Sequence, residues 1–483
     1  MKQNQIIHLL VSVVFTLACT GTGMAQSLFP KGDVNRDSEV SVADLTNLVD
    51  ILLKNSCPES QQKYADVNKD GEITVADVAL LASRLMGFHE PAEDCYSGTL
   101  PVVYLMCEGT INKSDYLPAT MRIDALGLEP WVDMVDSQQS IPLSIKGRGN
   151  YTWSHYAKKP YKIKLDKKNS LLGFSNSKHF ALVPHADDWM GYVRDEAGYE
   201  LSRRIGMEYS PRQVPIELVI NDEYQGLYFL SETVRVEKNR VNITEQDDME
   251  TDPQRVTGGW LLEIDNYNSP GQICIMENDS VTLLVTSHSP EELSEQQRQY
   301  LTCLITETDS AIYNPDKTST DWEDYIDMDA LAKFYIVNEV LEEVEAFHGS
   351  CYFYKDNGES AKLKFGPIWD CGNSYTYDRF ETNMDAFLVD YPKFQHHWIA
   401  EILKYPRFQE YVRELWKTFR PQLDTMDEFI DSFVDQIAAA AASDEHYWPS
   451  SESDYIRARA NAFKTCLHKK IVFLDSQWGV PNE

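Results

Sequence analysis

Two short acidic segments near the start of the chain carry oxygen side chains at matching intervals. The first begins at Asp33 and the second at Asp66, 33 residues later. In each 12-residue segment, oxygen side chains occupy positions 1, 3, 5, 9 and 12, and position 7 offers a backbone carbonyl. This spacing suits Ca²⁺, which takes roughly six to eight oxygen ligands. The predicted calcium ligands are Asp33, Asn35, Asp37, Glu39, Ser41 and Asp44, then Asp66, Asn68, Asp70, Glu72, Thr74 and Asp77.

Each loop leads into an apolar stripe with helical spacing, which predicts a helix directly after the last ligand. The stripes are Leu45, Leu48, Val49 and Leu52 after the first loop and Val78, Leu81, Ala82 and Leu85 after the second. Position 12 is Asp rather than the Glu of ordinary EF-hands, and no entering helix is predicted. This duplicated unit, at residues 32–87, resembles the dockerin type I family. The resemblance implies calcium-dependent docking to a cohesin-like partner.

The first loop departs from the second at one position. Ser38 stands where the second loop has Gly71, and the sharp turn at position 6 favours glycine. We therefore expect weaker calcium binding by the first loop. An acidic, solvated turn is the alternative interpretation of each segment, and the repeated ligand order argues against it.

Further along the chain, other residues are of types that bind phosphate and Mg²⁺. The turn 146–150 is basic and contains glycine, so its backbone amides and the Arg148 guanidinium could hold a phosphate. Lys162 and Lys164 share one face of a predicted strand and could do the same, although a solvated strand face has this pattern too. A buried strand is predicted to end at Asp370, where a carboxylate could hold Mg²⁺ between phosphates.

Six sequence blocks give these positions a common context. In chain order, they are KGRGNYTW, KKPYKIKLD, NDEYQGLYFLSE, GGWLLEID, NEV with YFYKD, and GPIWD. Over residues 100–478 this order resembles the spore-coat protein H (CotH) kinase family. Members are atypical secreted protein kinases with a reduced kinase-like fold. The resemblance implies ATP and Mg²⁺ as cofactors and a protein Ser or Thr as the phosphate acceptor.

The resemblance assigns roles to four residues. Asp370 matches the metal-binding acid, and Arg148 and Lys162 match basic positions that face phosphate. Glu345 stands where the family has its catalytic Asp. Glutamate extends the carboxylate by one methylene, about 1.5 Å, and misplacement on that scale can cost on the order of 10²-fold in rate. Two further positions match the family blocks without an assigned role, Glu232 and Asn338.

The apolar patterns also predict the elements that position these residues. Strands are predicted at 102–106, 141–145, 161–165, 180–183, 214–220, 226–230, 259–264 and 281–285. Helices are predicted at 190–204, at 331–344 and over most of 392–475, with a strand pair at 351–354 and 363–368. A β-rich first half and a helix-rich second half predict an α+β class, with a small all-α module before a two-lobed, atypical protein-kinase-like domain.

The start of the chain has the features of an export signal. Lys2 precedes an apolar stretch at 6–18 that is too short to span a bilayer, and small residues precede a predicted cut after Ala25. Lipoprotein processing at Cys19 is the alternative. We therefore expect a bacterial protein that is secreted, periplasmic or held at the cell surface. The predicted limits are a signal peptide at 1–25, the dockerin-type module at 26–88, a linker at 89–98 and the kinase-like domain at 99–483.

The net charge and the cysteine content argue against some classes of binding site. A net charge of −32 argues against nucleic-acid binding, which needs clustered basic residues. The nine cysteines include no CxxC pair, so a zinc ribbon is not expected. Cys57 and Cys95 flank the second loop and could form a disulfide in an exported protein. For the six cysteines that follow, buried free thiols are at least as plausible as disulfides.

Three classes of function remain at this point. The first is an active secreted kinase that its dockerin delivers to a surface complex. The second is an inactive kinase-like scaffold for adhesion or assembly, which the replacement of Asp by Glu345 favours. The third is a carbohydrate-active enzyme, but the chain shows no obvious carboxylate pair on a β framework. The protein substrate and the particular partner are not specified by the sequence.

Overall fold

The structure is a computed structural model, and it describes most of the chain. The described residues are 32–35, 40–54, 56–67, 72–85, 96–188, 190–265, 272–277, 280–376, 384–391, 397–448 and 456–479. The predicted signal peptide and most of the predicted linker lie outside these residues.

The N-terminal module contains three short helices. They are α1 (Val42–Lys54), α2 (Glu59–Ala65) and α3 (Val75–Leu85). Helices α1 and α3 follow the two loops as predicted, and their apolar stripes form a common core around Leu45, Leu48 and Leu81. Helix α2 immediately precedes Asp66, so the expectation of no entering helix is wrong for the second loop. This helix has only seven residues, too few to show an apolar period in the sequence.

The chain folds into two compact units. One, the barrel unit, contains the described residues through Ala186, together with Val214–Leu230 and residues 436–453. The other, the mixed unit, contains Asp187–Gln213, residues 231–435 and residues 454–483. The α and β content agrees with the predicted class, but each unit draws on several separate stretches of chain.

Seven strands of the barrel unit close into a barrel in the order β1-β2-β3-β4-β5-β7-β6. Their bounds are β1 (Val102–Cys107), β2 (Leu117–Asp124), β3 (Ile141–Gly147), β4 (Tyr161–Asn169), β5 (Ser177–Val183), β6 (Gln213–Ile220) and β7 (Glu223–Glu232). The first five strands pair antiparallel in sequence, and β1 pairs parallel with β6. Strand β2 was not predicted, although its alternate burial, as at Met121 and Ile123, is typical of a strand. Pro118 weakens the strand pattern at its start.

Inward-facing side chains fill the barrel, among them Ile145, Ile163 and Leu218. The short helix α4 (Tyr151–His155) lies between β3 and β4. A buried ion pair also ties together distant segments of this unit. Lys158 Nζ lies 2.5 Å from Asp444 Oδ1, and the side chains are 5% and 3% exposed.

A second, five-stranded sheet forms part of the mixed unit, in the order β12-β11-β8-β10-β9. Its strands are β8 (Trp260–Ile264), β9 (Ile273–Glu277), β10 (Ser280–Ser289), β11 (Cys351–Lys355) and β12 (Lys364–Phe365), and all pairs are antiparallel. The remaining helices are α5 (Arg194–Ile205), α6 (Glu295–Ile312), α7 (Met328–Leu341), α8 (Trp398–Ile402), α9 (Pro406–Phe419), α10 (Met426–Tyr447) and α11 (Ile456–Trp478). Within the described residues, no helix combines the length and hydropathy needed to cross a membrane.

Helix α7 is buried on nearly every side. Asp327 caps its start by accepting a hydrogen bond from the Ala330 N–H at 2.9 Å. The helix ends where Glu342 adopts a left-handed conformation with φ of 48°. All residues from Phe334 to Leu341 are buried, so this end of the helix is fixed by packing.

Cys351 and Cys371 carry buried free thiols, in agreement with one of the two alternatives left open for the later cysteines. Cys466 is buried as well. Cys57 is also free, and its predicted partner Cys95 lies outside the described residues.

Candidate functional site

Both predicted catalytic carboxylates line one pocket in the mixed unit. The pocket is small, with a cavity volume of about 10 Å³. Its lining residues are Phe334, Asn338, Glu343, Glu345, Ala346, Gly349, Ser350, Cys351, Trp369 and Asp370. They come from the end of α7, the loop between α7 and β11, and the segment after β12. The structure therefore brings together two residues that lie 25 positions apart in the sequence.

A buried lysine holds the end of α7 that leads into the pocket. Lys470 Nζ lies 2.7 Å from Glu339 Oε1 and 3.8 Å from Glu342 Oε2, and all three side chains are fully buried. Glu339 also accepts the Leu388 N–H at 3.1 Å. Because an unpaired buried charge is costly, this arrangement restrains the backbone that precedes Glu345.

Glu343 is a buried carboxyl at the pocket that the sequence reasoning missed. Its Oε1 accepts the Glu345 N–H at 3.0 Å, and its Oε2 accepts the Ser374 hydroxyl at 3.0 Å. The pKa of Glu343 is raised to about 8, mainly by burial and also by the nearby charges of Glu345 and Asp370, although these two hydrogen bonds oppose the rise. The sequence signal that could have identified Glu343 is a run of acidic residues directly after the predicted apolar helix.

Glu345 is half-buried, whereas Asp370 is exposed. The Ser350 hydroxyl donates to Asp370 Oδ2 at 3.3 Å, which links the two sides of the pocket. The prediction that Asp370 ends a strand is wrong, because β12 stops at Phe365. The two residues of β12 pair with Phe353 and Tyr354 of β11. The apolar residues after Phe365 are not paired in the sheet, so the strand ends there.

Four residues in or next to the segments that line the pocket have left-handed backbone. Glu342, Phe347, Ser350 and Asp370 have φ values of 48°, 68°, 48° and 62°. Such conformations are uncommon for residues other than glycine and persist only where the surrounding structure enforces them. Their clustering is typical of a functional site.

The start of α5 holds the backbone that follows Asp370. Arg194 is 1% exposed, and its Nη1 donates to the Gly372 carbonyl at 2.6 Å. Asp195 Oδ1 accepts the Cys371 N–H at 2.6 Å. Two charged side chains of one helical turn thus fix the backbone of two consecutive residues, Cys371 and Gly372.

The two predicted phosphate-binding cations lie in the barrel unit. Lys162 on β4 stands directly opposite Lys146 on β3. Arg148 follows β3, is half-buried, and donates its backbone N–H to the Pro160 carbonyl at 3.1 Å. Lys146 also contacts an aromatic ring, because its Nζ lies 4.8 Å from the centre of the Tyr116 ring.

The two block residues without a predicted role make internal contacts. Glu232 is buried and accepts the Arg212 N–H at 3.1 Å, with Arg240 Nε 3.6 Å away. Asn338 is buried and donates to the Phe334 carbonyl at 2.9 Å. Asn338 also lines the pocket, whereas the contacts of Glu232 are structural.

The last predicted ligand of each calcium loop is fully buried. Asp44 accepts the backbone N–H groups of Asn35 at 2.9 Å and Ser41 at 2.8 Å. Asp77 accepts the Thr74 N–H at 2.7 Å. The contacts of Ser41 with Asp44 and of Thr74 with Asp77 are equivalent in the two loops, and the Asn35 contact draws the ends of the first loop together. Four predicted ligands lie outside the described residues, Asp37, Glu39, Asn68 and Asp70.

Comparison with known families identifies both parts of the chain. The family model of the CotH kinase protein matches residues 145–473, and that of the dockerin type I domain matches residues 31–86. The chain belongs to the CotH kinase family and carries a dockerin type I domain ahead of the CotH domain. Comparison with the curated proteins found no match.

These matches confirm the two predicted resemblances and their order. Dockerin type I domains bind calcium and cohesin partners. Dockerin and CotH domains are typical of extracellular or surface proteins in bacteria.

Proposed function

We propose that the chain is an atypical protein kinase that transfers phosphate from Mg-ATP to protein Ser or Thr. The observation that carries this proposal is the shared pocket of Glu345 and Asp370. Phosphoryl transfer is catalysed mainly by positioning and by charge stabilisation. The pocket supports positioning, because its carboxylates sit on backbone that Lys470 and Arg194 hold in place. Charge stabilisation would come from Mg²⁺ held by Asp370.

Each charged residue has a proposed role. Glu345 faces the acceptor hydroxyl, as a weak base or as a positioning group. Asp370 presents an exposed carboxylate, the ligand type that Mg²⁺ prefers, and Mg²⁺ when bound neutralises phosphate charge. Arg148 and Lys162 are the candidate phosphate-binding cations of the barrel unit.

The dockerin domain is proposed to hold this kinase on a cohesin-like partner. The donor set fits calcium, since Asp44 and Asp77 are buried oxygen ligands held by equivalent backbone contacts. A signal peptide at 1–25 is proposed to export the chain, and lipid attachment at Cys19 is the alternative. The domain limits 26–88, 89–98 and 99–483 belong to this proposal as well.

A radiolabel transfer assay tests the kinase proposal. It compares the wild type with Asp370→Ala and Glu345→Asp, using a generic protein acceptor and autophosphorylation as readouts. Loss of the metal acid should abolish transfer, whereas Glu345→Asp should preserve or raise it, because the carboxylate keeps its charge. Glu410→Gln, an exposed acid on α9, is the control and should leave transfer unchanged.

The alternative is a catalytically inactive, kinase-like scaffold, and the observation that favours it is Glu345 in place of Asp. Phosphate transfer by Glu345→Asp but not by the wild type would identify a pseudokinase. Its catalytic carboxylate would then be displaced by the one extra methylene of glutamate. Absence of both ATP binding and transfer in all variants would contradict the kinase proposal and leave the scaffold.

A further inference from the structure

One carboxyl group bonds to both of the segments that carry the predicted acids of the pocket. Glu343 Oε1 accepts the Glu345 N–H at 3.0 Å, so it holds the backbone of Glu345 itself. Its Oε2 accepts the hydroxyl of Ser374 at 3.0 Å, and Ser374 lies four residues after Asp370. Because the two oxygens belong to one planar group, they hold the two segments at a fixed spacing.

Backbone hydrogen bonds anchor both ends of this link. Glu343 and Ser374 form an isolated antiparallel β-bridge. The Glu343 N–H donates to the Asn338 carbonyl at 3.0 Å, which fixes Glu343 at the end of α7. The Ser374 N–H donates to the Cys371 carbonyl at 3.1 Å and closes the turn that follows Asp370. The Glu343 side chain therefore joins two segments whose own backbone is already restrained.

The position of Glu343 at the pocket indicates why a carboxyl is buried there. Glu343 and Ser374 are 3% and 0% exposed, and Glu343 is also one of the residues that line the pocket. Removing a carboxyl from water is unfavourable unless hydrogen bonds replace those to water. The hydrogen bonds that do so here lead to the two segments of the pocket. A displacement of about 1 Å of a reacting group can lower a rate on the order of 10²-fold, so the spacing of these segments matters.

We propose that Glu343 is a positioning residue for phosphoryl transfer, which sets the spacing between Glu345 and Asp370. The inference rests on the proposed function, because the rate that Glu343 affects is that of the proposed reaction. Glu343 acts through the backbone of Glu345 on one side and through Ser374 on the other. This role requires no contact between Glu343 and the nucleotide or the acceptor.

Transfer rates of the full-length chain at pH 7 test this role. Glu343→Ala removes both hydrogen bonds and should lower kcat at least about tenfold. Glu343→Gln can keep both and should retain most of the wild-type kcat. At this pH the glutamate, with its pKa raised to about 8, is largely protonated and resembles glutamine. Ser374→Ala breaks one hydrogen bond of the two and should lower kcat less than Glu343→Ala does.

Asp475→Ala is the matched control for the loss of a buried carboxyl in the mixed unit. Asp475 is 5% exposed and accepts hydrogen bonds from Trp416 and Arg420. Its replacement should lower the thermal midpoint and leave kcat unchanged at a temperature where the chain is folded. A role of Glu343 in general stability would give the same pattern for Glu343→Ala.

Amide hydrogen exchange provides a readout that needs no activity, because a hydrogen-bonded amide exchanges slowly. The Glu345 amide should exchange several-fold faster in Glu343→Ala than in the wild type, and Glu343→Gln should restore the slow exchange. Asp475→Ala should leave the exchange of this amide unchanged.

A wild-type kcat in Glu343→Ala would overturn the inference. Equal losses of kcat in Glu343→Ala and Asp475→Ala would overturn it too, as would equal losses in Glu343→Ala and a Glu343→Gln chain whose thermal midpoint is unchanged. If the wild type transfers no phosphate, the kinase proposal fails, and the exchange of the Glu345 amide decides the spacing role by itself. Faster exchange in Glu343→Ala then upholds that role, and unchanged exchange contradicts it.

Discussion

Replacing Glu343 by Gln should change how the stability of the mixed unit depends on pH. The carboxyl is 3% exposed, and its pKa is raised from 4.5 to about 8 in the folded chain. Glutamine resembles the protonated acid and can keep hydrogen bonds to the Glu345 N–H and the Ser374 hydroxyl. The substitution therefore removes the ionisation while leaving the shape of the site nearly unchanged.

The sign follows from proton linkage. Because the folded pKa of Glu343 lies above the unfolded value, the folded state binds the proton more tightly. This contribution to the free energy of unfolding is complete below pH 4.5 and is lost as pH rises to about 8. At 1.36 kcal/mol per pKa unit, the loss is at most about 5 kcal/mol. Above pH 8, Glu343→Gln should therefore be more stable than the wild type by up to this amount.

Calorimetric unfolding of the full chain at fixed Ca²⁺, from pH 5 to pH 9, measures the effect. The variant and the wild type should have similar midpoints near pH 5, and the variant should unfold several degrees higher at pH 9. Glu414→Gln, whose side chain is 59% exposed on α9, is the control for loss of a surface charge. A midpoint difference for Glu343→Gln that stays constant across this pH range would contradict a raised pKa of Glu343.

Three further expectations concern packing and docking. Lys470→Met should destabilise the mixed unit by about 3–5 kcal/mol in denaturant unfolding, because two buried glutamates lose their cation. The control is Lys469→Met, which should have little effect because the Lys469 side chain is exposed. Chelation of calcium should lower the far-UV circular dichroism of the dockerin helices, since the ligand carboxylates then repel one another, and an unchanged spectrum with no calcium binding would contradict the site assignment. Replacing Val42 and Ala43 should preserve cohesin binding, measured by titration, because the second repeat presents the same pair as Val75 and Ala76. Loss of binding would exclude docking in two orientations.

Sequence spacing was sufficient for features that depend on neighbouring residues. A calcium loop collects its ligands within 12 residues, so the positions of Asp33 and Asp44 already define it. Helices α1 and α3 were predictable for the same reason, since an apolar stripe repeats every three or four residues. Strands β3 and β4 were predicted from their apolar residues, but β2 was not, because Pro118 and the polar residues between its apolar ones weaken the strand pattern.

The features that only the tertiary structure decided depend on contacts between distant residues. Lys158 pairs with Asp444, 286 residues away, and no local pattern specifies that partner. The pKa of Glu343 is raised because folding removes its carboxyl from water beside Glu345 and Asp370, and burial of this kind is a property of the packed chain. The sequence by itself thus determined the families and the candidate acids, whereas packing decided which acids share a pocket and which of them keeps its proton.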